Sequence, residues 1–580
     1  MQVNAASLSV NSGVKTEGED IFGLAHYCEH MLFLGSKKYP SPTLFVDFIT
    51  KNNGKFNGFT DFDTTGFFFM IEKDSFPKAL DIFSQFFIDP LFNADYVEKE
   101  VNSVNSEYER NIQLDRKRKE QVLRDNANPK SIFHRFSTGN NRTLLEYTRK
   151  RTISLRDRVI NYYKNHYRID NMKLTIYGHL KISDYKHLVS QTFGTVKKPA
   201  SEYKVIDSRP LPYNFFKQGK LIFFQTINDH QQLDISINIP DIHKSLPDNP
   251  SLYFRLLLNK KGNNTLSDIL KTKGLLTGFK AGIRRTYDGF TMFKINGYLT
   301  IEGIKNLDQV LKSIYQYLEY VKKSSLNADI YNFYRKALAN KFQYSRKKKN
   351  VMDFMKAMCI NFWKYPKKYL FSQHSLLPSY DENKLKDFSR HLVINNSVIL
   401  VGYSRFTPDL LEKYKVFVQG FDPNKLTFKQ EDWYYTKYST HQLSNNFMAT
   451  LLNTPQNFNV NFLTERKKPL PNNLSLVSLC KTTQFTRRQC VSNMLNDRVN
   501  LKPELLLKNN FVEFYHKLDR SFLISKVNLF VKFVFYKNVN DPKYATFLRL
   551  LISCLNHHFR NFFHEENIRQ NKITLNASPK

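Results

Sequence analysis

The sequence predicts an α+β protein of tandem homologous domains, each a mostly antiparallel sheet with helices on one face. Three observations carry that expectation. Short β-rich runs alternate with amphipathic helical segments. A strand-then-helix order recurs at spacings of more than 200 residues: GFFFMIE before KALDIFSQFF, MFKINGYLT before LDQVLKSIYQYLEY, and LFVKFVFYK before YATFLRLLISCLNHHF. Polar stretches rich in Pro and Asn punctuate the chain between these echoes.

The elements follow in order. Residues 3–11 alternate loosely as a strand, and a turn rich in Gly and acids leads into IFGLAHYCEHMLFLG, whose apolar and His pattern closed by Gly35 predicts a buried helix. A second helix, over residues 43–51, follows the YPSP stop. KFNGFTDFDTTGFFFMIE predicts two strands around a polar DFDT turn, and FPKALDIFSQFFIDPLF an amphipathic helix ended by Pro90. One long helix is expected from about residue 95 past 118, another over 155–166, then strand MKLTIYGHL and helix DYKHLVSQTF, which close the first domain near residue 195. A linker is expected over 196–215, a second domain over 216–433, an Asn-rich connector with TPQNF and KKPLPNN over 434–502, and part of a third domain over 503–580.

Length and composition bound the function. With 580 residues, 41% hydrophobic and 24% charged, wholesale disorder is excluded, and no apolar run approaches the roughly 18 residues of a membrane span. The net charge of +35 invites a polyanion partner, but it is unevenly spread. Residues 1–110 hold 9 Lys and Arg against 16 Asp and Glu, a net of -7, so the rest carries 78 minus 36, or +42. Runs such as Ser345-Arg346-Lys347-Lys348-Lys349 read as solvated faces without an aromatic-plus-basic motif, so no nucleic-acid partner is expected. Five widely spaced cysteines (Cys28, Cys359, Cys480, Cys490, Cys554) form no CxxC pair, and residues 1–17 lack the pattern of a secretory leader. A cytoplasmic setting is the expectation.

The strongest local signal is His26-Tyr27-Cys28-Glu29-His30. On a helix, positions i and i+4 share a face, so both imidazoles reach one ion, while the carboxylate at i+3 sits close to a metal-bound water. This is HExxH written in reverse. Two hydrogen-bonded histidines beside a solvated Glu remain the structural alternative. A third ligand could come from EKEVNSVNSEYER, where Glu100 and Glu107 lie two turns apart on one face and either could ligate. Cys28 reads as a small buried helical residue whose nearness to the site makes alkylation sensitivity a secondary expectation.

GLAHYCEHMLFLGSKKYP, then FNGFTDFDTTGFFF, then EKEVNSVNSEYERN with Glu107 77 residues after His30, resemble the signature of the insulinase (pitrilysin-like) zinc metallopeptidases. NPKSIFHRFSTGN, TLSDILKTKG and EDWYYTKYS extend the resemblance to about residue 440, and more faintly to about 575. It implies LuxS/metallohydrolase-like domains and one Zn2+ per chain held by His26, His30 and Glu107. Glu29 is then the base that activates water, and Glu100 a supporting carboxylate. It also implies that Asn57, Gly58 and Phe59 lie on an extended edge strand that pairs with substrate, rather than in the hairpin turn that Asn-Gly suggests locally, and that Phe33 lines the substrate pocket.

The implied function is a zinc-dependent metalloendopeptidase acting on short or unfolded peptides. Family members have four homologous domains in two halves, so the sequence reads as lacking an N-terminal edge of the first domain and stopping within a third. A second polypeptide or C-terminal half is therefore the expected partner, with a catalytically weak or silent subunit and a polyanion binder as alternatives. The second domain lacks the metal motif: at the comparable place stands LLLNKKGNNTLSDIL, with Lys260, Gly262, Asn264 and Thr265. A chamber wall is its expected role.

Overall fold

The computed structural model describes residues 3–196, 219–241, 248–287, 289–343, 350–372, 375–453, 458, 460, 462, 503–509, 513–516 and 541–562. They fall into two compact units, one of Met1–Tyr334 with Asn350–Phe462 and one of Arg335–Lys349 with Leu463–Lys580. Among the described residues no helix is long and apolar enough to cross a membrane.

Among the described residues the larger unit holds two sheets. The first has four strands, β1 (Val3–Val10), β2 (Lys55–Thr60), β3 (Thr65–Glu72) and β4 (Met172–Tyr177), in the order β2-β3-β1-β4, with every neighbour antiparallel. Period-2 alternation sorts their side chains. Ala6, Leu8 and Val10 of β1, with Phe67, Phe69 and Ile71 of β3, join the main core. Against them lie the helices α1 (Leu24–Met31), α2 (Leu44–Lys51), α3 (Phe76–Ser84), α4 (Val97–Ile112), α6 (Leu155–His166) and α7 (Ile182–Phe193). The DFDT segment is the predicted turn, closed by the Asp61 N–H donating to the Thr64 carbonyl at 2.9 Å.

Two features depart from the expected elements. The single helix past residue 118 is two helices, α4 and α5 (Asp115–Asp125), broken at the extended Leu114. No Gly or Pro marks that break. It is made by tertiary contact: the Asp115 carboxylate accepts from the N–H groups of Ile227 at 2.7 Å and Asn228 at 3.1 Å, and from Asn228 Nδ2 at 2.9 Å. The second feature is the far face of the first sheet, which is covered as well. There the small residues Ala5, Ser7 and Ser9 meet a helix from much later in the chain, Val351–Lys364, through Met355 and Cys359, and Trp363 Nε1 donates to Ser9 Oγ at 3.0 Å.

The second sheet has seven strands: β5 (Lys220–Gln225), β6 (Gln231–Ile239), β7 (Leu276–Tyr287), β8 (Phe290–Leu299), β9 (Ser397–Tyr403), β10 (Lys429–Gln430) and β11 (Lys437–Gln442). Their order is β10-β11-β5-β9-β6-β8-β7, antiparallel except for β5 beside β9. Within it β7-β8-β6-β9 repeats the order β2-β3-β1-β4, and the helices Pro250–Leu258 and Leu266–Thr272 fall between β6 and β7 as α1 and α2 fall between β1 and β2. The helix Leu307–Ser325 follows β8 as α3 follows β3. The domain is duplicated in topology, and the counterpart of α1 carries no His.

The stretch 434–502, expected as a connector, begins with structured chain: β11 pairs with β5, and a helix covers Asn445–Asn453. Its polar composition hid a strand near the sheet's edge, where polar side chains can face water. Residues 463–502, and most of the expected linker 196–215, lie outside the described residues. In the smaller unit a hairpin pairs Glu504–Lys508 with Glu513–His516, and a helix spans Pro542–Phe562. The strand expected at LFVKFVFYK also lies outside the described residues.

Candidate metal centre

Helix α1 is buried on nearly every side, with Ala25, Tyr27, Cys28 and Met31 fully inaccessible. Gly23 caps it at φ 86 without a side chain to satisfy the first N–H groups. The buried Glu17 carboxylate does so from the preceding loop, accepting from Gly23 N at 3.2 Å and Ala25 N at 2.9 Å. Arg135 Nη1 donates to the Glu17 and Gly18 carbonyls, tying that loop down.

The ring centroids of His26 and His30 lie 4.8 Å apart at 88°. Glu107 of α4 comes between them, its Oε2 3.6 Å from His26 Nε2 and 3.9 Å from His30 Nε2. Among the described residues these three form a group whose ligand atoms lie within 4.8 Å of one another. Both imidazoles are held by their other nitrogen. His26 Nδ1 donates to the Thr138 carbonyl at 2.6 Å, and His30 Nδ1 to Glu100 Oε1 at 2.7 Å. A carbonyl or carboxylate oxygen can only accept, so each Nδ1 carries a hydrogen, and in the neutral imidazole the lone pair sits on the Nε2 that faces Glu107.

That donor set fits zinc. Tetrahedral bonds of about 2.0–2.1 Å put neighbouring donors roughly 3.4 Å apart, against the 3.6 and 3.9 Å from Glu107 Oε2 to the two Nε2 atoms, and two imidazoles with one carboxylate leave a fourth position open. Glu100 is placed behind His30, as an outer partner that fixes its tautomer.

Glu29 is buried beside the pair, and burial pushes its carboxyl up to about 7. Its Oε2 accepts from Thr60 Oγ1 at 2.6 Å, and its Oε1 lies where a Cβ on Gly58 would stand, at 2.3 Å. Burial and the neighbouring His30 push His26 down to about 4. For His30 burial acts in the same direction, but the bond to Glu100 and the charges of Glu29, Glu100 and Glu107 outweigh it and raise its pKa.

The edge strand β2 carries Asn57, Gly58 and Phe59 in extended conformation, paired on one side only among the described residues. Gly58 and Thr60 face Glu29. Phe59 turns to the opposite face, against Phe68 and beneath Lys356 Nζ at 4.9 Å, while Asn57 is exposed and accepts from Gly58 N at 2.8 Å. Phe33 sits among Phe45, Phe56, Phe67 and Phe86 and lines a small cavity with Tyr39, Leu44 and Ile82. Cys28 is fully buried and its thiol is pushed up by that burial, which disfavours alkylation of the folded protein.

Glu17, Thr60 and the Thr138 carbonyl were not singled out in the sequence. A carboxylate before a helix is a capping signal, but Glu17 stands seven residues ahead of Leu24, beyond the local rule. A backbone carbonyl carries no sequence signal at all.

Three family models match successive stretches: insulinase (peptidase family M16) over residues 2–133, peptidase M16 inactive domain over 154–338, and middle or third domain of peptidase M16 over 342–575. The chain belongs to this insulinase, or M16, family. It is 30% identical to insulin-degrading enzyme of Drosophila melanogaster over 71% of its own length and 42% of that protein. It is 26% identical to insulin-degrading enzyme-like 1, peroxisomal, of Arabidopsis thaliana over 95% of its length and 53% of that protein. The chain thus spans about half the length of the curated relatives it matches. Its fold is similar to that of pitrilysin, with a TM-score of 0.73 at 21% identity, covering 90% of this chain and 51% of that one.

Proposed function

We propose that this chain provides the zinc-binding catalytic domain, and a second inactive domain, of a metalloendopeptidase acting on short or unfolded peptides. The observation that carries the proposal is the convergence of His26 Nε2, His30 Nε2 and Glu107 Oε2 from two helices, with Glu29 buried alongside. One Zn2+ bound there would supply Lewis acidity, lowering the pKa of water and polarising a peptide carbonyl.

The chain's own residues supply the rest. Glu29 accepts the proton of the attacking water at Oε1 while Thr60 holds Oε2, and passes that proton to the leaving amine. Glu100 and the Thr138 carbonyl keep both imidazoles in the ligating tautomer. The edge of β2, unpaired among the described residues, accepts substrate as an added strand, a mode that reads backbone more than side chains. Because the relatives are about twice as long, full activity is proposed to need a second half that completes the substrate chamber; missing transition-state donors typically cost about two to three orders of magnitude in rate.

Metal analysis with a quenched-peptide assay tests the reading: zinc at about one per chain and chelator-sensitive cleavage support it. Glu29→Gln is expected to keep zinc and lose at least ~100-fold in cleavage rate. Undiminished cleavage by that variant at full zinc content sinks the assignment.

A further inference from the structure

Residues 431–436 belong to the second α+β half, just ahead of β11, yet they reach the supports of the metal centre in the first. Glu431 folds the segment on itself, its buried carboxylate accepting from the N–H groups of Trp433 at 2.8 Å, Tyr434 at 2.9 Å and Thr436 at 2.9 Å. The turn so formed inserts two aromatic side chains between the carriers of the ligands.

The Trp433 indole lies flat on Phe136, with centroids 4.3 Å apart at 3°, and meets Phe22 edge-on at 6.0 Å. Its carbonyl accepts from the Tyr108 hydroxyl. The Tyr434 hydroxyl bonds Thr138 Oγ1 at 3.0 Å, and its carbonyl accepts from Arg118 Nη1 at 2.9 Å. These contacts fall where the ligands are held. Phe22 is two residues ahead of α1, Tyr108 is the neighbour of Glu107, and Phe136 lies two residues before Thr138, whose own carbonyl orients His26. That loop also touches the start of α1 directly, since a Cβ on Gly23 would stand 2.3 Å from Gly139 Cα.

We infer that Trp433 and Tyr434 are positioning residues for the metal centre, supplied by the segment just ahead of β11 to hold the Thr138 carbonyl and the Glu107 turn of α4 in ligating register. This rests on His26, His30 and Glu107 being the ligands. The physical reason is that the Thr138 carbonyl fixes a tautomer only if its loop is fixed, and packing against Trp433 and Tyr434 fixes it. Loss of an outer partner of this kind typically weakens metal binding about 10–100-fold.

The test uses the full chain and measures zinc affinity by chelator competition and the visible spectrum of the Co2+-loaded protein, beside thermal melting of the metal-free form. Trp433→Leu is expected to weaken zinc binding about 10–100-fold and to alter the cobalt spectrum. Trp433→Phe, which keeps a ring on Phe136, is expected to restore most of both, and Tyr434→Phe to give a smaller loss of about 3-fold. Phe223→Leu, in the aromatic cluster of the second sheet with Tyr414, Phe421 and His441, is the control: it is expected to lower the melting temperature with zinc affinity unchanged. The inference is overturned if Trp433→Leu binds zinc like the wild type with an unaltered cobalt spectrum, or if Phe223→Leu weakens zinc as much. Should Trp433→Leu not fold, an unchanged affinity and spectrum in Tyr434→Phe overturns it. Wild-type protein that takes up no zinc overturns the ligand assignment itself, before any variant is measured.

Discussion

Gly58 shows how closely the edge strand is fitted to the site. A methyl group there would stand 2.3 Å from Glu29 Oε1, and the carboxylate has little freedom to retreat, because it is buried and Thr60 holds its other oxygen at 2.6 Å. Gly58→Ala is therefore expected to lower kcat/KM for peptide cleavage by ~10-fold or more with zinc content unchanged. Equal cleavage by variant and wild type at matched zinc content would show that Glu29 tolerates displacement. The i, i+4 spacing of His26 and His30 was readable from sequence because helical periodicity is a local property. The contacts of Gly58 and Thr60 with Glu29 were not, since they depend on which face of β2 meets α1. A local rule even pointed the other way, taking Asn57-Gly58 as a turn; what decided for an extended strand was the better turn chemistry of DFDT just after it.

Helix α1 carries both proposed His ligands and begins on a glycine with no capping side chain, so its register depends on the Glu17 carboxylate at Gly23 N and Ala25 N. A buried anion at a helix N-terminus satisfies otherwise orphaned donors and complements the helix dipole. Glu17→Ala is expected to cost about 1–2 kcal/mol in urea unfolding and to weaken zinc binding, whereas Glu17→Gln, which keeps an acceptor, is expected to lose less. Equal stability of Glu17→Ala and wild type would refute the cap. At this scale most helices and strands of the first domain were legible, because hydrophobic periodicity and the YPSP and DFDT signals are written in neighbouring residues. The break between α4 and α5 was not, since Asp115 is drawn out by N–H groups more than a hundred residues away. Nor was the placement of Val351–Lys364 on the first sheet: its apolar stripe announces a packing face but not which sheet it meets.

Across the whole molecule, the +35 net charge that first suggested a polyanion partner resolves into an acidic segment holding the proposed metal ligands and a basic remainder that supplies buried counter-ions. Asp234 lies between Lys119 at 3.0 Å and Lys294 at 3.2 Å, and although burial opposes its charge, these lysines keep its carboxyl far below the usual range. Its stabilising effect is thus complete above about pH 4 and is lost only as pH falls further. The histidines act earlier. Burial lowers both His166 and His441 to about 4. The unfolded chain takes up those protons near pH 6.5, so between about pH 6.5 and 4 the unfolded state binds more of them, and stability falls as pH falls. Above about pH 6.5 the contribution is constant. Urea unfolding of the chelator-treated protein, in which metal release adds nothing, is expected to show this loss between pH 7.5 and 4.5. In His166→Gln the fall over the same interval should be smaller by roughly 2–3 kcal/mol. Parallel profiles for variant and wild type would mean that His166 titrates alike in folded and unfolded chains, and that the acid sensitivity has to be sought at the other histidines.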